Sequence, residues 1–341
     1  MKAAYIGILS PGSTSKMRAE TLESLTPDSV WTRIDTDPPL QQSAKVWRSA
    51  AYRMKRGPAM DRINRSVREA LTGTAFDLVW LDKAVFLDEQ TMGVIRSVAH
   101  RMVHFTPDTA FYANRSAHFE RTMPLYDLLV TTKSFELEKY HAQVSAERVM
   151  LTTQGYDPNV HFPRNGPEDR RREAVFIGFA EPDRERCVAT LLEADVPVRL
   201  GGIGWGRFVR KWKDHPSLRF DGEAIFGDSY ATLLSRAWIG LGLLTKRLPE
   251  LHTTRTFEIP ACGGVLATER TADTSGMFAD DEALFFEDYE SLAQRISALF
   301  RSEDISVMEK IAAAGTRRVT ADGRDYPTIL SGILRHPQLA E

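Results

Sequence analysis

The sequence predicts an α/β fold built from two Rossmann-like, doubly wound domains. Short buried strands alternate with helices along most of the chain, a pattern that implies parallel sheets joined by right-handed crossovers. The 341 residues exceed one typical core and suit two domains of ordinary size. A turn-rich stretch, GYDPNVHFPR followed by a charged run, separates the two sets of strands. We therefore expect a first domain over residues 1–164 and a second over 165–320.

The first half opens with an apolar strand, a Gly/Ser/Thr loop and a helix, which make the first unit of a doubly wound domain. Later strands are short apolar runs bounded by turn-forming residues. The expected strands are 3–9, 30–34, 76–81, 101–105, 128–131 and 149–151. The expected helices are 16–25, 60–71, 88–100 and 134–142. The polar, basic stretch 41–56 fits neither pattern clearly.

The second half repeats this alternation after the charged run that ends at Glu173. Apolar runs again predict buried strands, and amphipathic segments predict the helices that connect them. The expected strands are 174–177, 198–200, 218–220, 238–244, 265–267 and 283–286. The expected helices are one ending near 194, then 230–236, 255–261, 288–300, 305–314 and 326–334.

The composition is that of a soluble globular protein without a strong overall electrostatic field. The formal net charge of -2 predicts no general attraction to DNA, RNA or an anionic membrane. Cys187 and Cys262 lie far apart, which argues against a disulfide framework or structural zinc and suits a reducing cytoplasm. The first strand is too short for a signal peptide, and no run approaches the ~18 apolar residues of a membrane span. We expect a cytoplasmic protein with no transmembrane segment and no nucleic-acid partner.

The stretch LPELHTTRTFEIPACGGVLATER is the richest candidate site. Thr253 or Thr254 suits the N-cap of a helix that begins at Arg255, so Glu250 falls in a loop and Glu258 on the helix. The amides of a helix start, the two hydroxyls and the guanidinium are donors that suit a diphosphate. An ionised glutamate only accepts hydrogen bonds and therefore suits ribose or hexose hydroxyls. An ordinary capped helix with Glu258 in solvent remains the alternative.

The same stretch resembles a known family. E-x7-E followed by a small-residue helix end, GG and a hydrophobic strand resembles the second half of the retaining group 1 (GT4-like) glycosyltransferases of GT-B fold. The fuller string, GLGLLTK and then PELHTTRTFEIPACGG, resembles the branch that contains the CgeB-like spore-maturation proteins. The resemblance implies a GT-B fold, with two domains facing each other across a cleft and a C-terminal helix in 321–341 that can cross back to the first domain.

The resemblance also implies roles for particular residues. Glu258 would bind the nucleotide ribose, and Glu250, as a catalytic residue, would lie against the donor sugar. Related enzymes carry a basic pair after the first strand of the second domain, but Phe179 occupies the first basic position here. Arg184 or Arg186 would supply the second position. The implied donor-binding set is Glu258, Arg184, Lys246, His252, Thr253, Thr254, Arg255, Gly12, Ser13 and Thr14, with Arg18 beside the last three.

Two residues at a strand end of the first half are further catalytic candidates. His104 and Asp108 fall at the carboxyl end of the expected strand 101–105, the edge of a parallel sheet where sites form. Because the ordinary pKa of histidine is near neutrality, His104 could orient or activate an acceptor hydroxyl. Asp82 has a similar position after the strand 76–81. A purely structural role remains the alternative for each of them.

These observations predict a glycosyltransferase that moves a sugar from a nucleotide sugar to an acceptor, with retention and without a metal. No cofactor is expected beyond the donor substrate, and the acceptor class stays open between glycan, lipid, protein and small molecule. A sugar-nucleotide epimerase or phosphorylase of the same architecture is one alternative. A non-catalytic sugar-binding or assembly protein is another, and Phe179 is the best argument for it. The absence of a GxGxxG fingerprint disfavours a dehydrogenase.

Overall fold

A computed structural model of the protein describes residues 1–83 and 85–339. The described chain divides into two compact units: unit 1 comprises residues 1–153 and the chain from Pro327 onward, and unit 2 comprises residues 154–326. Each unit contains a six-stranded sheet in which all strand pairs are parallel. The predicted α/β class with two doubly wound sheets is confirmed.

The sheet of unit 1 contains all six strands expected in the first half. They are β1 (Lys2–Gly7), β2 (Val30–Asp35), β3 (Phe76–Asp82), β4 (Ala99–Thr106), β5 (Leu128–Thr131) and β6 (Val149–Leu151). Their order is β2-β1-β3-β4-β5-β6. Strands are added to opposite sides of β1, so the topological switch point lies between β1 and β3. Ligands of open α/β sheets bind at the carboxyl ends of the strands at such a point.

The helices of unit 1 include three that the sequence did not predict. They are α1 (Thr14–Leu25), α2 (Asp37–Gln41), α3 (Lys45–Met54), α4 (Pro58–Leu71), α5 (Glu89–Val98), α6 (Ala117–Thr122) and α7 (Leu137–His141). The unpredicted ones are α2, α3 and α6. No side chain caps α3, and its large apolar residues Val46, Trp47 and Met54 are exposed. No cap therefore marks the start of α3 in the sequence, and Lys45, Arg48 and Arg53 interrupt its apolar residues.

The sheet of unit 2 has the strand order of a Rossmann fold. Its strands are β7 (Arg171–Ile177), β8 (Val198–Gly201), β9 (Leu218–Phe220), β10 (Ala237–Leu241), β11 (Val265–Glu269) and β12 (Leu284–Phe286). Read from one edge, the order is β9-β8-β7-β10-β11-β12. This is the 3-2-1-4-5-6 arrangement, whose switch point lies between β7 and β10.

The helices of unit 2 follow the prediction closely. They are α8 (Pro182–Glu193), α9 (Gly206–Lys211), α10 (Gly227–Arg236), α11 (Arg255–Ala261), α12 (Ala272–Met277), α13 (Tyr289–Arg301) and α14 (Ser306–Ala321), and α15 (Tyr326–Leu334) begins at the last residue of unit 2. The short helices α9 and α12 were not predicted. α14 continues past its predicted end through Gly315, where a Cβ would lie 2.7 Å from the carbonyl oxygen of Glu282.

Candidate functional site

The loops after β7 and β8 approach each other closely at the switch-point edge of unit 2. Gly202 has a φ of +115°, and a Cβ there would lie 2.2 Å from the carbonyl oxygen of Gly178. The indole Nε1 of Trp205 donates to that same carbonyl at 2.8 Å. Trp205 is fully buried, so its indole belongs to the core of unit 2. This packing fixes the backbone from which Phe176 and Arg184 project.

Two arginines lie against one aromatic ring at this edge. The guanidinium carbons of Arg184, on α8, and Arg255, at the start of α11, are 5.5 Å and 5.3 Å from the ring centre of Phe176. Phe176, in β7, is fully buried. Both contacts are within cation–π range. The ring therefore brings together two cations that are 71 residues apart in the chain.

Arg184 is buried and only partly satisfied. Its Nη1 lies 2.9 Å from Glu181 Oε1 and donates to the carbonyl oxygen of Phe179 at 3.1 Å. Its Nε is buried and has no hydrogen-bond partner among the described residues. Burial and the neighbouring Arg255 lower the pKa of Arg184, and nearby carboxylates, including Glu250, oppose this. Glu250 therefore lies close enough to influence the electrostatics of the arginine pair.

Arg255 and Thr253 supply further donors that the described residues do not satisfy. Arg255 Nη1 reaches the carbonyl oxygen of Ile177 at 3.4 Å, but its Nε is buried without a partner, and it makes no ion pair within the described residues. The buried hydroxyl of Thr253 likewise has no partner there. Thr254 precedes α11 but makes no capping side-chain hydrogen bond. Three buried donor atoms of Arg184, Arg255 and Thr253 thus lack protein acceptors, which is costly for buried polar groups.

Acidic residues balance the other cations of this edge. Lys246 is half exposed, and its Nζ lies 3.1 Å from Glu269 Oε1. Glu269 ends β11 and also accepts the amide of Leu244. Glu181 accepts the hydroxyl of Thr245 at 2.6 Å in addition to its contact with Arg184. Lys246 therefore has a carboxylate partner within the protein, whereas Arg255 has none among the described residues.

Glu258 is buried on α11 and has a close protein partner. The hydroxyl of Tyr230 donates to Glu258 Oε2 at 2.6 Å, and Nε2 of His161 lies 3.7 Å from Oε1. Burial and the adjacent carboxylate raise the pKa of Tyr230, which keeps its hydroxyl protonated as a donor. The alternative in which Glu258 faces solvent is wrong, because the residue is 4% exposed. A carboxylate has about four acceptor sites, so capacity for a ribose hydroxyl remains.

His252 is held by protein groups on both sides of its ring. Nδ1 lies 2.8 Å from Asp273 Oδ2, and Nε2 accepts the amide of Gln154 at 3.4 Å. This pattern places the ring proton of the neutral form on Nδ1. The residue is buried and fixes the loop that leads into α11. Its predicted role in donor binding stays a prediction.

In unit 1, a buried ion pair occupies the switch point. Arg18 Nε and Nη2 lie 2.7 Å and 3.0 Å from the two carboxylate oxygens of Asp82, and both side chains are almost fully buried. Lys83 Nζ lies 2.6 Å from Asp108 Oδ2 at the more exposed end of this group. Burial raises the pKa of Asp108, but Lys83 and the other nearby cations outweigh that effect and lower it overall. Asp108 is therefore an ionised carboxylate at neutral pH.

His104 is enclosed among aromatic rings. It is 1% exposed, and its ring centre is 4.5 Å from that of Phe119 and 5.3 Å from that of Tyr126. Nε2 lies 3.3 Å from the carbonyl oxygen of Lys83. Burial lowers the pKa of His104 to about 4, against the smaller upward effects of that carbonyl and of Asp82. The ring is neutral at pH 7, and its direct part in catalysis stays a prediction.

We expect His104 to make unit 1 sensitive to acid. Its folded pKa of about 4 lies below the ordinary value of 6.5, so the proton binds mainly to the unfolded chain between these values. Its contribution to stability is complete above pH 6.5 and falls by up to about 3 kcal/mol as the pH drops toward 4. Urea denaturation of wild-type protein and His104→Gln should show a shallower pH dependence in the variant. Parallel curves from pH 7 to 4 would contradict this.

The loop after β1 forms one side of a small cavity in unit 1. The cavity has a volume of about 130 Å³, and its lining includes Gly7, Tyr52, Asp82 and Lys83. The predicted donor-binding residues Gly12, Ser13 and Thr14 begin α1 nearby in sequence. Gly12 has a φ of +75°, and the Ser13 hydroxyl caps α1 by accepting the amide of Lys16. Their predicted contact with a donor stays a prediction.

Metal ligands do not group in the described part of the chain. Within residues 1–83 and 85–339, no three His, Cys, Asp or Glu side chains are placed to hold a metal ion. The Asp35-Thr36-Asp37 triplet ends β2, and its carboxylates bond within the protein. Asp35 accepts the amide of Leu9, and Asp37 accepts the hydroxyl of Ser10. Metal independence stays a prediction.

The structure gathers some predicted residues and adds others. In unit 2, Arg184 and Arg255 share the ring of Phe176, while Thr253, Thr254 and Glu250 belong to the same edge. Gly12, Ser13, Thr14, His104 and Asp108 belong to unit 1. The prediction did not include Phe176, Glu181, Glu269, Tyr230 and His161. Glu181 and Glu269 could have been found because they follow or end expected strands, whereas nothing in the local sequence links Tyr230 to Glu258.

Comparisons with known proteins agree with this architecture. A family model described as Glycosyl transferase-like matches residues 182–325, which lie in unit 2. HepE from Anabaena, crystallised with UDP-glucose, is 13% identical over 98% of both chains, with a TM-score of 0.61. Sucrose-phosphate synthase from Thermosynechococcus elongatus is 14% identical over 100% of this chain and 99% of that chain, with a TM-score of 0.66.

An epimerase also shares the architecture. UDP-GlcNAc 2-epimerase from Methanocaldococcus jannaschii is 10% identical over 95% of this chain and 99% of that chain, with a TM-score of 0.55. No curated protein matches the chain in sequence. At these identities the likenesses show the fold alone, and that fold is GT-B. The chain contains no helix within its described residues that is long and apolar enough to cross a membrane.

Proposed function

We propose that the protein is a glycosyltransferase that takes a sugar from a nucleotide-sugar donor bound by unit 2. One observation carries the proposal: Arg184 and Arg255 meet on Phe176 at the switch point, each with a buried Nε that no described residue satisfies. A diphosphate would supply negative charge to this pair of guanidinium groups, and arginine matches phosphate geometry well. The family match in unit 2 and the UDP and UDP-glucose complexes of HepE support this choice of ligand.

The arginine pair would act on the leaving group. Breaking the bond between sugar and diphosphate leaves negative charge on the β-phosphate oxygen. Arg255 and Arg184 would stabilise that charge with the Thr253 hydroxyl, and little water competes near Arg184 and Thr253, which are buried. Arg255 thus supplies the positive charge that Phe179 does not. On this account the cations make a metal unnecessary.

The two glutamates would hold the rest of the donor. We assign the ribose to Glu258, which Tyr230 orients, and the transferred sugar to Glu250, near the arginine pair. These assignments rest on the E-x7-E resemblance, as do retention of configuration and a place in the CgeB-like branch. In a retaining front-face reaction, the departing phosphate would take the proton of the attacking hydroxyl. The buried free thiols Cys187 and Cys262 support a reducing, cytoplasmic setting.

We assign the acceptor to the switch-point cavity of unit 1. Tyr52 provides an aromatic wall there, and Lys83 contributes charge and hydrogen-bond donors. His104 would act as a positioning residue, because its ring contacts the backbone of Lys83 instead of opening to solvent. Asp108 holds the ammonium group of Lys83.

We expect Glu258→Ala to weaken nucleotide binding. Ribose hydroxyls would lose a charged acceptor that contributes about 1.5–3 kcal/mol, so the Kd should rise about tenfold or more. Tyr230→Phe is the matched control, because it removes the internal hydrogen bond but keeps the carboxylate. Its Kd should change much less. Titration calorimetry with the nucleoside diphosphate makes the comparison, and an unchanged Kd in Glu258→Ala would remove the residue from the ribose site.

A donor screen tests the proposed function. The thermal unfolding temperature should rise with one class among UDP-, GDP- and dTDP-sugars, because a ligand that binds only the folded state stabilises it. The selected donor should then release its nucleoside diphosphate, and release should accelerate with a suitable acceptor. If no sugar nucleotide shifts the transition and none is consumed, the proposal is wrong.

A sugar-nucleotide epimerase is the second candidate, because the Methanocaldococcus epimerase shares the fold. The two activities differ in whether an acceptor is required. An epimerase converts the donor into a stereoisomeric sugar nucleotide when no acceptor is added. Chromatography of the nucleotide sugar after incubation with the protein alone therefore separates the two candidates.

A further inference from the structure

Positive charge is concentrated in one segment of unit 1. Residues 45–69 contain eight Lys and Arg against two acids, a net charge of +6, in a chain whose formal net charge is -2. The rest of the chain is correspondingly acidic. The small net charge of the whole chain therefore conceals an uneven distribution of charge, with a positive field at this segment. Most of these basic residues are exposed on α3, on α4 or between them.

The same segment exposes large apolar side chains. Val46 is 64% exposed, Trp47 45% and Met54 62%. Val46, Ala50 and Met54 follow one another at intervals of four residues, which places them along one side of α3 with Trp47 beside them. Lys45 and Arg53 flank that side. An amphipathic helix with Trp on its apolar face and basic residues around it is typical of peripheral membrane binding.

The opposite side of α3 is anchored to unit 1. The ring of Tyr52 packs edge-on against Phe86, with 5.0 Å between ring centres. Lys55 ends the helix, donates to the carbonyl oxygen of Tyr52 and lies over the ring of Phe86. Ala51 is fully buried. The side that bears Val46, Trp47 and Met54 is therefore presented outward by fixed contacts on the other side.

We propose that this face docks on an anionic lipid bilayer. The α3 surface comprises Lys45, Val46, Trp47, Arg53, Met54 and Arg56. Its apolar side chains would enter the region between headgroups and acyl chains, while its basic residues contact anionic headgroups. Charge complementarity and the exposed apolar residues favour this occupant. A nucleic acid would satisfy the arginines but would leave Val46 and Met54 without a partner.

The docking surface adjoins the cavity of unit 1. Tyr52 belongs to α3 and also lines that cavity, which extends to Asp82 and Lys83 at the sheet edge. A bilayer on the α3 surface would therefore lie beside the assigned acceptor site. The acceptor hydroxyl then belongs to an amphiphile held in the membrane surface. This consequence rests on the proposed function, whereas the docking itself does not.

Vesicle sedimentation of the full chain tests the docking. We expect the protein to bind vesicles made of equal parts phosphatidylglycerol and phosphatidylcholine, and to bind phosphatidylcholine alone far less. Arg53→Glu/Arg56→Glu should lower partition onto the anionic vesicles at least tenfold, since each basic residue near such a surface contributes about 1 kcal/mol. Trp47→Ser/Met54→Ser should also lower the partition onto these vesicles. Because salt screens charges and not apolar contacts, adding salt to the wild-type protein should not reproduce this loss.

Arg207→Glu/Arg210→Glu is the matched control, because it makes the same charge change at two exposed positions of α9 in unit 2. This control should bind vesicles as the wild type does. The proposal is overturned if anionic vesicles do not bind, if the α3 variants bind normally, or if the variants instead lose a tighter complex with an RNA oligonucleotide. Donor-induced thermal shifts, measured in parallel, report separately on the proposed function and should be unchanged in the α3 variants.

Discussion

Replacing Arg255 with alanine is expected to lower kcat/KM for the sugar nucleotide by roughly 10²–10³-fold. This is the usual effect of losing one preorganised hydrogen-bond donor to a developing anion. Arg255 lies 5.3 Å from the ring of Phe176 beside Arg184 and makes no ion pair within the described chain. Its removal should therefore weaken phosphate binding without leaving a buried carboxylate unpaired. The rate of nucleoside diphosphate release from the donor measures the effect.

The arginine prediction has a matched control on the neighbouring helix. Arg186 is exposed on α8, two residues from Arg184, and pairs with Asp183 at 3.0 Å. Arg186→Ala should leave kcat/KM nearly unchanged, whereas Arg184→Ala should resemble Arg255→Ala. Affinity for the nucleoside without phosphates should be the same in all of them. Equal losses in Arg186→Ala and Arg255→Ala would mean that the site does not depend on the two arginines at Phe176.

Glu250→Gln is expected to lower kcat by roughly 10²-fold while leaving the Kd for the nucleoside diphosphate close to the wild-type value. The substitution keeps the shape of the side chain but removes the negative charge assigned to the transferred sugar. A group that acts mainly in the transition state lowers kcat more than it weakens ground-state binding. Single-turnover kinetics with the screened donor separates the two effects.

An exposed glutamate of the same unit provides the comparison. Glu193→Gln, at the end of α8, makes the same chemical change on the surface and should leave turnover and binding unchanged. If Glu250→Gln turns over as fast as Glu193→Gln, Glu250 has no part in the reaction. If Glu250→Gln instead weakens nucleotide binding with kcat intact, its assignment to the sugar is wrong.

The sequence allowed the sheets to be predicted because buried parallel strands are short, continuous apolar runs. All twelve strands were predicted within a few residues, and the predicted bounds of α11 match the structure. Helices without a start signal or a full helical period were missed. α3 has no side-chain cap, and the six-residue helices α6, α9 and α12 are too short to show a period.

The candidate site could be predicted only where its chemistry was local in sequence. Arg255, Thr253 and Glu258 lie within one short stretch, so their proximity followed from a single helix start. The pairing of Arg184 with Arg255 through Phe176 depends on how β7, α8 and α11 pack, and periodicity does not encode such contacts. The burial of Glu258 against Tyr230 has the same origin, since it joins α10 to α11.

The most direct test is a crystal structure of the protein soaked with the sugar nucleotide that the thermal screen selects. We expect diphosphate oxygens within about 3 Å of guanidinium nitrogens of both Arg184 and Arg255, with the Thr253 hydroxyl donating to the same group. A diphosphate bound elsewhere, in contact with neither guanidinium group, would show that the two arginines do not form the phosphate site.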